Sequence, residues 1–369
     1  LQAVATTLRG RYAPSPTGPL HLGNLRTALL AWLFARAAGG NFILRMEDLD
    51  LPRVRPGAAS QLLADLRWLG LEWDEGPDVG GPVGPYIQSA RQAVYQAALA
   101  RLRARDLVYP CYCTRAELRA QRAARSVLEG TGGAPYAFRS ADGAGATNTP
   151  TTPDDASERV ASAPHGLPAD PASDGAPRYA GMCRMLSAAE RAAHEATGRR
   201  PSLRFRAPDA PFTFADRIMG AQTQNAADAG DFIVQRSDGL IAYHLAVVVD
   251  DALMGVTQVV RGADLLPFVA AQRALCLALG YPPPTEYAHA PLATDATGAR
   301  LAKRDTTDAT GATRGVATLR AHGVTPEAAL GALANSCGLW PSSVPVTAGE
   351  LLAAFEPARI ERAPSAIVL

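Results

Sequence analysis

The sequence predicts an α/β fold built on a mostly parallel sheet, with an inserted cysteine-bearing region and a short helical C-terminal extension. Three observations carry this reading. Helical and strand periodicities alternate over the first hundred residues. A polar, breaker-rich stretch separates two groups of cysteines, and ordered patterns then resume and end in amphipathic helical pieces. At 369 residues the chain can form one large domain or two ordinary ones, with a sizeable core.

Residues 19–38 carry apolar side chains at helical spacing and stop at Gly39-Gly40, a helix-ending signal. The next run predicts a short strand, with Phe42 and Leu44 on one face, Ile43 and Arg45 on the other, and Glu47, Asp48 and Asp50 at its end. A helix is expected over 57–69, behind Pro56, and another over 89–105, with Val94, Ala98 and Leu102 on one face. From Ser140 to Pro177 there is no aromatic residue, and residues 131–177 set two arginines against six acidic residues. Such a stretch can bury little, so it reads as a flexible surface excursion. Residues 203–220 read as short strands with turns, and 230–262 as a hairpin turning at Ser237-Asp238-Gly239. Strands or a strand–helix element follow around Tyr243–Val249 and Val256–Val260, and then a helix over Asp264–Leu279. Amphipathic pieces at 326–338 and 348–355 complete the pattern. The expected organisation is therefore 9–108, an inserted region 109–200 with its loop at about 131–177, 201–315, and an extension 316–369.

Thirty-six basic residues nearly cancel thirty-five acidic ones. This excludes a strongly basic nucleic-acid coat or an acidic tail, though not local patches. Lys303 is the single lysine; every other basic residue is arginine. Five cysteines in a chain of this length do not make a disulfide scaffold. No apolar run approaches the ~18 residues of a membrane span, so no membrane association is expected. The chain opens on Leu1, and no charged start leads into an apolar core. The expected location is the cytoplasm.

Arg11-Tyr-Ala-Pro-Ser15-Pro-Thr-Gly18-Pro-Leu-His21-Leu-Gly23-Asn24 leads from a strand into a helix N-terminus. Backbone N–H groups there can meet phosphate oxygens, and glycine allows close approach. Taken one at a time, these residues also suit an ordinary structural loop. Tyr109-Pro-Cys111-Tyr-Cys113 and Tyr179-Ala-Gly-Met-Cys183 form a second group. Cys111 and Cys113 suit either two buried structural cysteines or part of a metal site, to which Cys183 would add a third sulfur and Tyr179 or water a fourth ligand.

The segment Pro14 to Asn24, with Arg11 ahead of it, resembles the HIGH signature of class I aminoacyl-tRNA synthetases, and in particular the glutamyl branch. The resemblance continues through Phe42–Asp50, Tyr243–Asp251 and Val259–Gly262, and reaches Arg300 to Arg304, which is similar to the KMSKS loop. The cysteine pattern looks like the zinc site of the glutamyl-queuosine tRNA(Asp) synthetase family, a shortened relative of glutamyl-tRNA synthetase. This resemblance implies a Rossmann-like class I catalytic core carrying a zinc-binding insertion. It implies glutamate contacts at Arg11, Ser15, Glu47, Tyr243 and Arg261, with Glu47 taking the ammonium group. It implies ATP contacts at His21, Gly23, Asn24 and Lys303, of which His21, Asn24 and Lys303 would be catalytic. It also implies one structural zinc on Cys111, Cys113, Tyr179 and Cys183. Two departures stand out: Arg300 and Ala302 replace a lysine and a serine, and Asn24 replaces a histidine.

The implied reaction is tRNA-independent activation of L-glutamate by ATP with magnesium, followed by transfer to queuosine in the anticodon stem-loop of tRNA(Asp). With 65 residues after Arg304, the helical anticodon-binding region of a full glutamyl-tRNA synthetase is not expected. The competing readings are a truncated glutamyl-tRNA synthetase, a catalytically silent RNA-binding paralogue, and a nucleotide-binding domain that transfers another group.

Overall fold

The computed structural model describes residues 7–114, 116–118, 120, 179, 181–294, 315–342 and 344–367. The chain divides into two units, Leu1–Cys113 with Tyr179–Leu369, and Thr114–Arg178. The excursion expected at 131–177 and the segment Arg300 to Arg304, with Lys303, lie outside the described residues.

The first unit begins with β1 (Arg9–Tyr12), α1 (Leu22–Ala37), β2 (Asn41–Leu44), α2 (Ala58–Trp68), α3 (Gln92–Ala104) and β3 (Val108–Cys111). After Tyr179 come α4 (Ala188–Ala196), β4 (Ser202–Phe205), β5 (Pro211–Asp216), β6 (Gly220–Asn225) and β7 (Ile233–Gln235). Then follow α5 (Tyr243–Leu253), β8 (Gln258–Gly262), α6 (Val269–Ala278), β9 (Glu286–Ala290) and β10 (Ala293–Thr294). The last elements are α7 (Val316–Ala321), α8 (Pro326–Asn335), α9 (Ala348–Ala353) and β11 (Ser365–Ala366).

The main sheet runs in the order β2-β1-β8-β9-β5-β6 and is parallel except for the β5–β6 hairpin. This is the mostly parallel sheet that the alternating pattern predicts. β3, β4 and β7 form a separate antiparallel sheet, and β10 pairs with β11.

Strand alternation sorts side chains between two layers. On β1, Tyr12 donates to the Asn24 carbonyl of α1, while Arg11 reaches the opposite way to Asp251 of α5. A Cβ at Gly10 would lie 2.8 Å from the Cβ of Ala35, so glycine is what lets α1 rest directly on β1. The α1 side holds one apolar core, with Leu25, Leu29, Leu33, Ile43 and Leu330. The α5 side holds a second, with Tyr95, Leu99, Leu245, Val249 and Leu275.

Four sequence expectations need correction in detail. The segment around Tyr243–Val249 is a helix and extends to Leu253; His244–Asp251 are buried throughout, so no polar stripe announces its period. The helix expected over Asp264–Leu279 is broken, because Pro267 confines Ala263–Phe268 to a 3₁₀ turn and α6 starts at Val269. The helix expected over 89–105 likewise opens with a 3₁₀ turn at Gln88–Arg91. The hairpin return after Gly239 is a single bridge from Gln235 to Ile241.

Candidate active site

The parallel strands deliver charged side chains to one face of the sheet near their C-terminal ends, the usual place for a ligand crevice in an open α/β sheet. Arg11 of β1 donates to Asp251 at 3.2 Å and to the Val260 carbonyl at 3.0 Å. Arg45, one residue past β2 and fully buried, meets Asp251 at 2.7 Å, Glu47 at 3.2 Å and Asp250 at 3.6 Å. Asp250 also accepts from Gln88, Arg91 and Tyr95. Isolated charges would be costly at this depth, and each of these guanidinium groups is matched to a carboxylate. The pattern of the sequence did not assign Arg45, Arg91, Asp250 or Asp251 any part in this network.

Glu47 is held beside the Pro/Gly loop by its N–H, which donates to the Pro14 carbonyl at 2.9 Å. Ser15 is the next residue of that loop and is half-buried. Burial pushes the Glu47 carboxyl up to about 7, against the opposing pull of Arg45 and Arg11. Tyr243, the first residue of α5, has its hydroxyl pushed up to about 12, first by burial and then by the charge of Glu47. Arg261 and Arg11 act on the same hydroxyl from the other direction. Arg11, Glu47, Tyr243 and Arg261 therefore come together on one side of the sheet.

Arg261 differs from Arg11, Arg45 and Arg91, each of which meets a carboxylate. Its guanidinium donates to His289 Nε2 at 3.1 Å, to Gln272 Oε1 at 2.6 Å and to the Leu265 carbonyl at 3.2 Å. None of these partners is a carboxylate, and among the described residues no carboxylate lies within ion-pair distance of it. Burial pushes its pKa below the usual guanidinium value, as expected of a cation short of countercharge. Two of its five N–H groups remain for a bidentate anion.

His21 caps α1: its Nδ1 accepts from the Asn24 N–H at 3.4 Å, which leaves the neutral ring's proton on Nε2. Gly23 follows at the first turn, where an added Cβ would meet Ala293 Cβ at 3.1 Å and the His21 ring at 3.2 Å. Asn24 carries the amide that binds the His21 cap. Lys303, the fourth residue expected on this side, lies outside the described residues.

The family model described as tRNA synthetases class I (E and Q), catalytic domain, matches residues 7–142 and 164–336. A glutamyl-Q tRNA(Asp) synthetase of Symbiobacterium thermophilum is 50% identical over 357 residues, covering 97% of this chain and 95% of that protein. The chain belongs to the glutamyl-Q tRNA(Asp) synthetase family of class I synthetases. A second family member, from Nitratidesulfovibrio vulgaris, is 46% identical over 339 residues, covering 92% of this chain and 89% of the relative. The crystal structure of glutamate-tRNA synthetase from Elizabethkingia anophelis superposes with a TM-score of 0.72 at 29% identity. That match covers 98% of this chain and 68% of the larger protein.

In this glutamyl-Q synthetase family chain the sulfurs of Cys111, Cys113 and Cys183 lie within 4.8 Å of one another, with Cys113 and Cys183 3.6 Å apart. Tetrahedral zinc with Zn–S bonds of about 2.3 Å would set sulfurs about 3.8 Å apart, so the cluster is close to metal-binding size. The Tyr179 hydroxyl accepts from the Cys183 N–H, and the Arg204 guanidinium lies 3.9 Å over the Tyr179 ring. Hydrogen bonding from Cys113 holds the Cys111 thiol well below its ordinary value, with the Arg204 charge acting in the same direction. The three thiols and the tyrosine hydroxyl are a donor set suited to a soft or borderline cation. Among the described residues, no helix is long and apolar enough to cross a membrane.

Proposed function

We propose that the protein activates L-glutamate with ATP in the absence of tRNA and transfers the glutamyl group to queuosine in the anticodon of tRNA(Asp). The observation that carries this reading is the pairing of two complementary deficits in one buried site. Among the described residues Arg261 is a cation with no carboxylate partner, and Glu47 is a buried carboxyl that burial pushes up to about 7. A side-chain carboxylate on Arg261 and an ammonium group on Glu47 satisfy both and fix an acidic amino acid in one orientation. Tyr243 and Ser15 would offer hydroxyls to the bound amino acid, and Arg11, already balanced by Asp251, would contribute donors rather than net charge.

An α-carboxylate oxygen of the bound glutamate attacks the α-phosphorus of ATP. The bond to the bridging oxygen breaks and pyrophosphate leaves with the electron pair. His21 donates to a phosphate oxygen from Nε2, with Asn24 beside it, and the missing side chain at Gly23 leaves the His21 ring uncrowded. Lys303 stabilises the charge that grows on the phosphates, and magnesium supplies further charge neutralisation when bound with ATP. A hydroxyl of queuosine then takes the glutamyl group and releases AMP. The natural setting is the cytoplasm, where ATP and tRNA meet.

The test is glutamate-dependent ATP–pyrophosphate exchange without RNA, followed by transfer to queuosine-containing and queuosine-free tRNA(Asp). Exchange without RNA and transfer only to the modified tRNA are expected; charging of tRNA(Glu), or no exchange, would overturn the proposal. We further assign one structural zinc to Cys111, Cys113, Cys183 and Tyr179. Metal analysis should find about one zinc per chain. Replacing Cys183 by serine should abolish stoichiometric zinc and lower the thermal midpoint. Zinc content near zero in the unaltered protein would sink this assignment.

A further inference from the structure

Behind Arg261 lies a chain of buried polar groups that the reaction described above does not use. Arg261 and His289 face each other in register on the adjacent parallel strands β8 and β9. His289 is fully buried, and its Nδ1 lies 2.6 Å from Asp216 Oδ2 at the end of β5. The other oxygen, Asp216 Oδ1, accepts the N–H groups of Ile218 at 3.0 Å, Met219 at 2.8 Å and His289 at 3.1 Å. The carboxylate can therefore neither rotate nor leave without stranding three backbone donors.

This arrangement determines the tautomer of the ring. Asp216 keeps its carboxyl below the usual carboxylate range: burial pushes it up, but the hydrogen bond from His289 and the backbone donors outweigh burial. Burial holds His289 at about 4, so the ring is neutral at physiological pH. A neutral ring facing an ionised carboxylate carries its proton on Nδ1, which leaves the Nε2 lone pair for the Arg261 Nε–H at 3.1 Å. With Gln272 Oε1 holding one terminal nitrogen and the Leu265 carbonyl the other, three donors of the guanidinium are fixed from behind.

We propose that Asp216 and His289 are positioning residues that aim the Arg261 fork at the side-chain carboxylate of the substrate, and so set the enzyme's preference for an acid over the corresponding amide. The proposal rests on the assignment of Arg261 to the glutamate carboxylate made above. A guanidinium held from behind can present two parallel N–H groups to a carboxylate, whereas a freely rotating one meets an amide oxygen nearly as well. Selectivity then depends on the register of β8, β9 and β5, since those strands alone carry the three groups.

Asp216→Asn is the informative substitution because it preserves shape and inverts the hydrogen bonding. The three backbone donors hold the amide oxygen in place of Oδ1, so the new –NH₂ points at His289 Nδ1. The ring must take the other tautomer, and its Nε2–H then confronts the Arg261 Nε–H. The effect is the wrong-tautomer outcome familiar from buried Asp–His pairs. In ATP–pyrophosphate exchange, the KM for glutamate should rise about tenfold or more while the KM for ATP stays within about twofold. The ratio of glutamate to glutamine activation should fall in parallel. His289→Ala should behave similarly, and His289→Gln, which restores an acceptor toward Arg261, should recover much of the loss.

An unchanged glutamate KM in folded Asp216→Asn, or equal rises in both KM values, would overturn the proposal. Should the variant fail to fold, ¹⁵N shifts of the unaltered protein decide the point, since a His289 protonated on Nε2 would overturn it directly. Arg261→Lys, assayed alongside, separates the two levels. A normal glutamate KM there would remove the underlying assignment of Arg261. A raised KM there together with a normal Asp216→Asn would remove only the positioning role.

Discussion

Between about pH 6 and pH 8 the KM for glutamate is expected to fall about tenfold while kcat changes little, because Glu47 must ionise before it can receive an ammonium group. Burial holds its carboxyl at about 7, so the site is mostly protonated at the lower end of that range and mostly ionised at the upper end. Binding of the substrate ammonium should release a proton near neutrality. Glu47→Gln keeps the shape of the side chain and removes the charge. It should raise the glutamate KM about a hundredfold and abolish the pH dependence. The stability effect has the opposite sign. A carboxyl with a folded pKa above its unfolded value binds its proton more tightly when folded, so stability is lost as pH rises from the unfolded value of 4.5 toward about 7. Above that window the cost is constant and amounts to about 3 kcal/mol at most. Arg45 retains Asp250 and Asp251 without Glu47, so the substitution strands no buried cation. Glu47→Gln should therefore raise the thermal midpoint at pH 8 and leave it nearly unchanged at pH 4. A flat KM profile, or a lower midpoint at pH 8, would contradict the role given to Glu47.

The residues of this pocket were unequally legible in the sequence. Arg11, Glu47, Tyr243 and Arg261 stand in short ordered blocks, and β1, β8, the segment after β2 and the start of α5 bring their scattered positions together. The network beneath them left little trace. Asp250 and Asp251 lie in a valine-rich run whose helix is buried on nearly every side, so neither a polar stripe nor a period-2 pattern marks them. Asp216 and His289 come from β5 and β9, seventy-three residues apart, and meet through a sheet order that local periodicity does not encode. One weak signal was available. His289 interrupts the apolar strand sequence Glu-Tyr-Ala-His-Ala, and a histidine in a strand buried on both faces needs a partner. The fold class was easier to read, because alternating helices and strands constrain a parallel sheet strongly. The helix breaks at Pro267 and at Gln88–Arg91 depend on how each segment packs, so the pattern alone merged them into longer helices.

Lys303→Ala is expected to lower kcat for ATP–pyrophosphate exchange by about a hundredfold or more, with the glutamate KM within about twofold of normal. The lysine lies in the KMSKS-like stretch Arg300 to Arg304, fourteen residues beyond His289 in the chain, and is the only lysine in the sequence. A chain that uses arginine for its other thirty-five basic residues, including the position of the motif's first lysine, has tolerated that replacement everywhere else. The chemistry supplies a reason for the exception. As pyrophosphate separates from the α-phosphorus, negative charge moves between oxygens, and a compact ammonium on a flexible stem can follow it. A guanidinium presents a fixed planar fork that suits a static carboxylate better. Arg261, held on three sides, is placed for the static task. Lys303→Arg should therefore fall between Lys303→Ala and the unaltered enzyme, with the loss in kcat and not in the KM for glutamate. Equal activity of the arginine variant and the unaltered enzyme would show that charge alone is required there. The single lysine would then be no more than a remnant of a strong compositional preference.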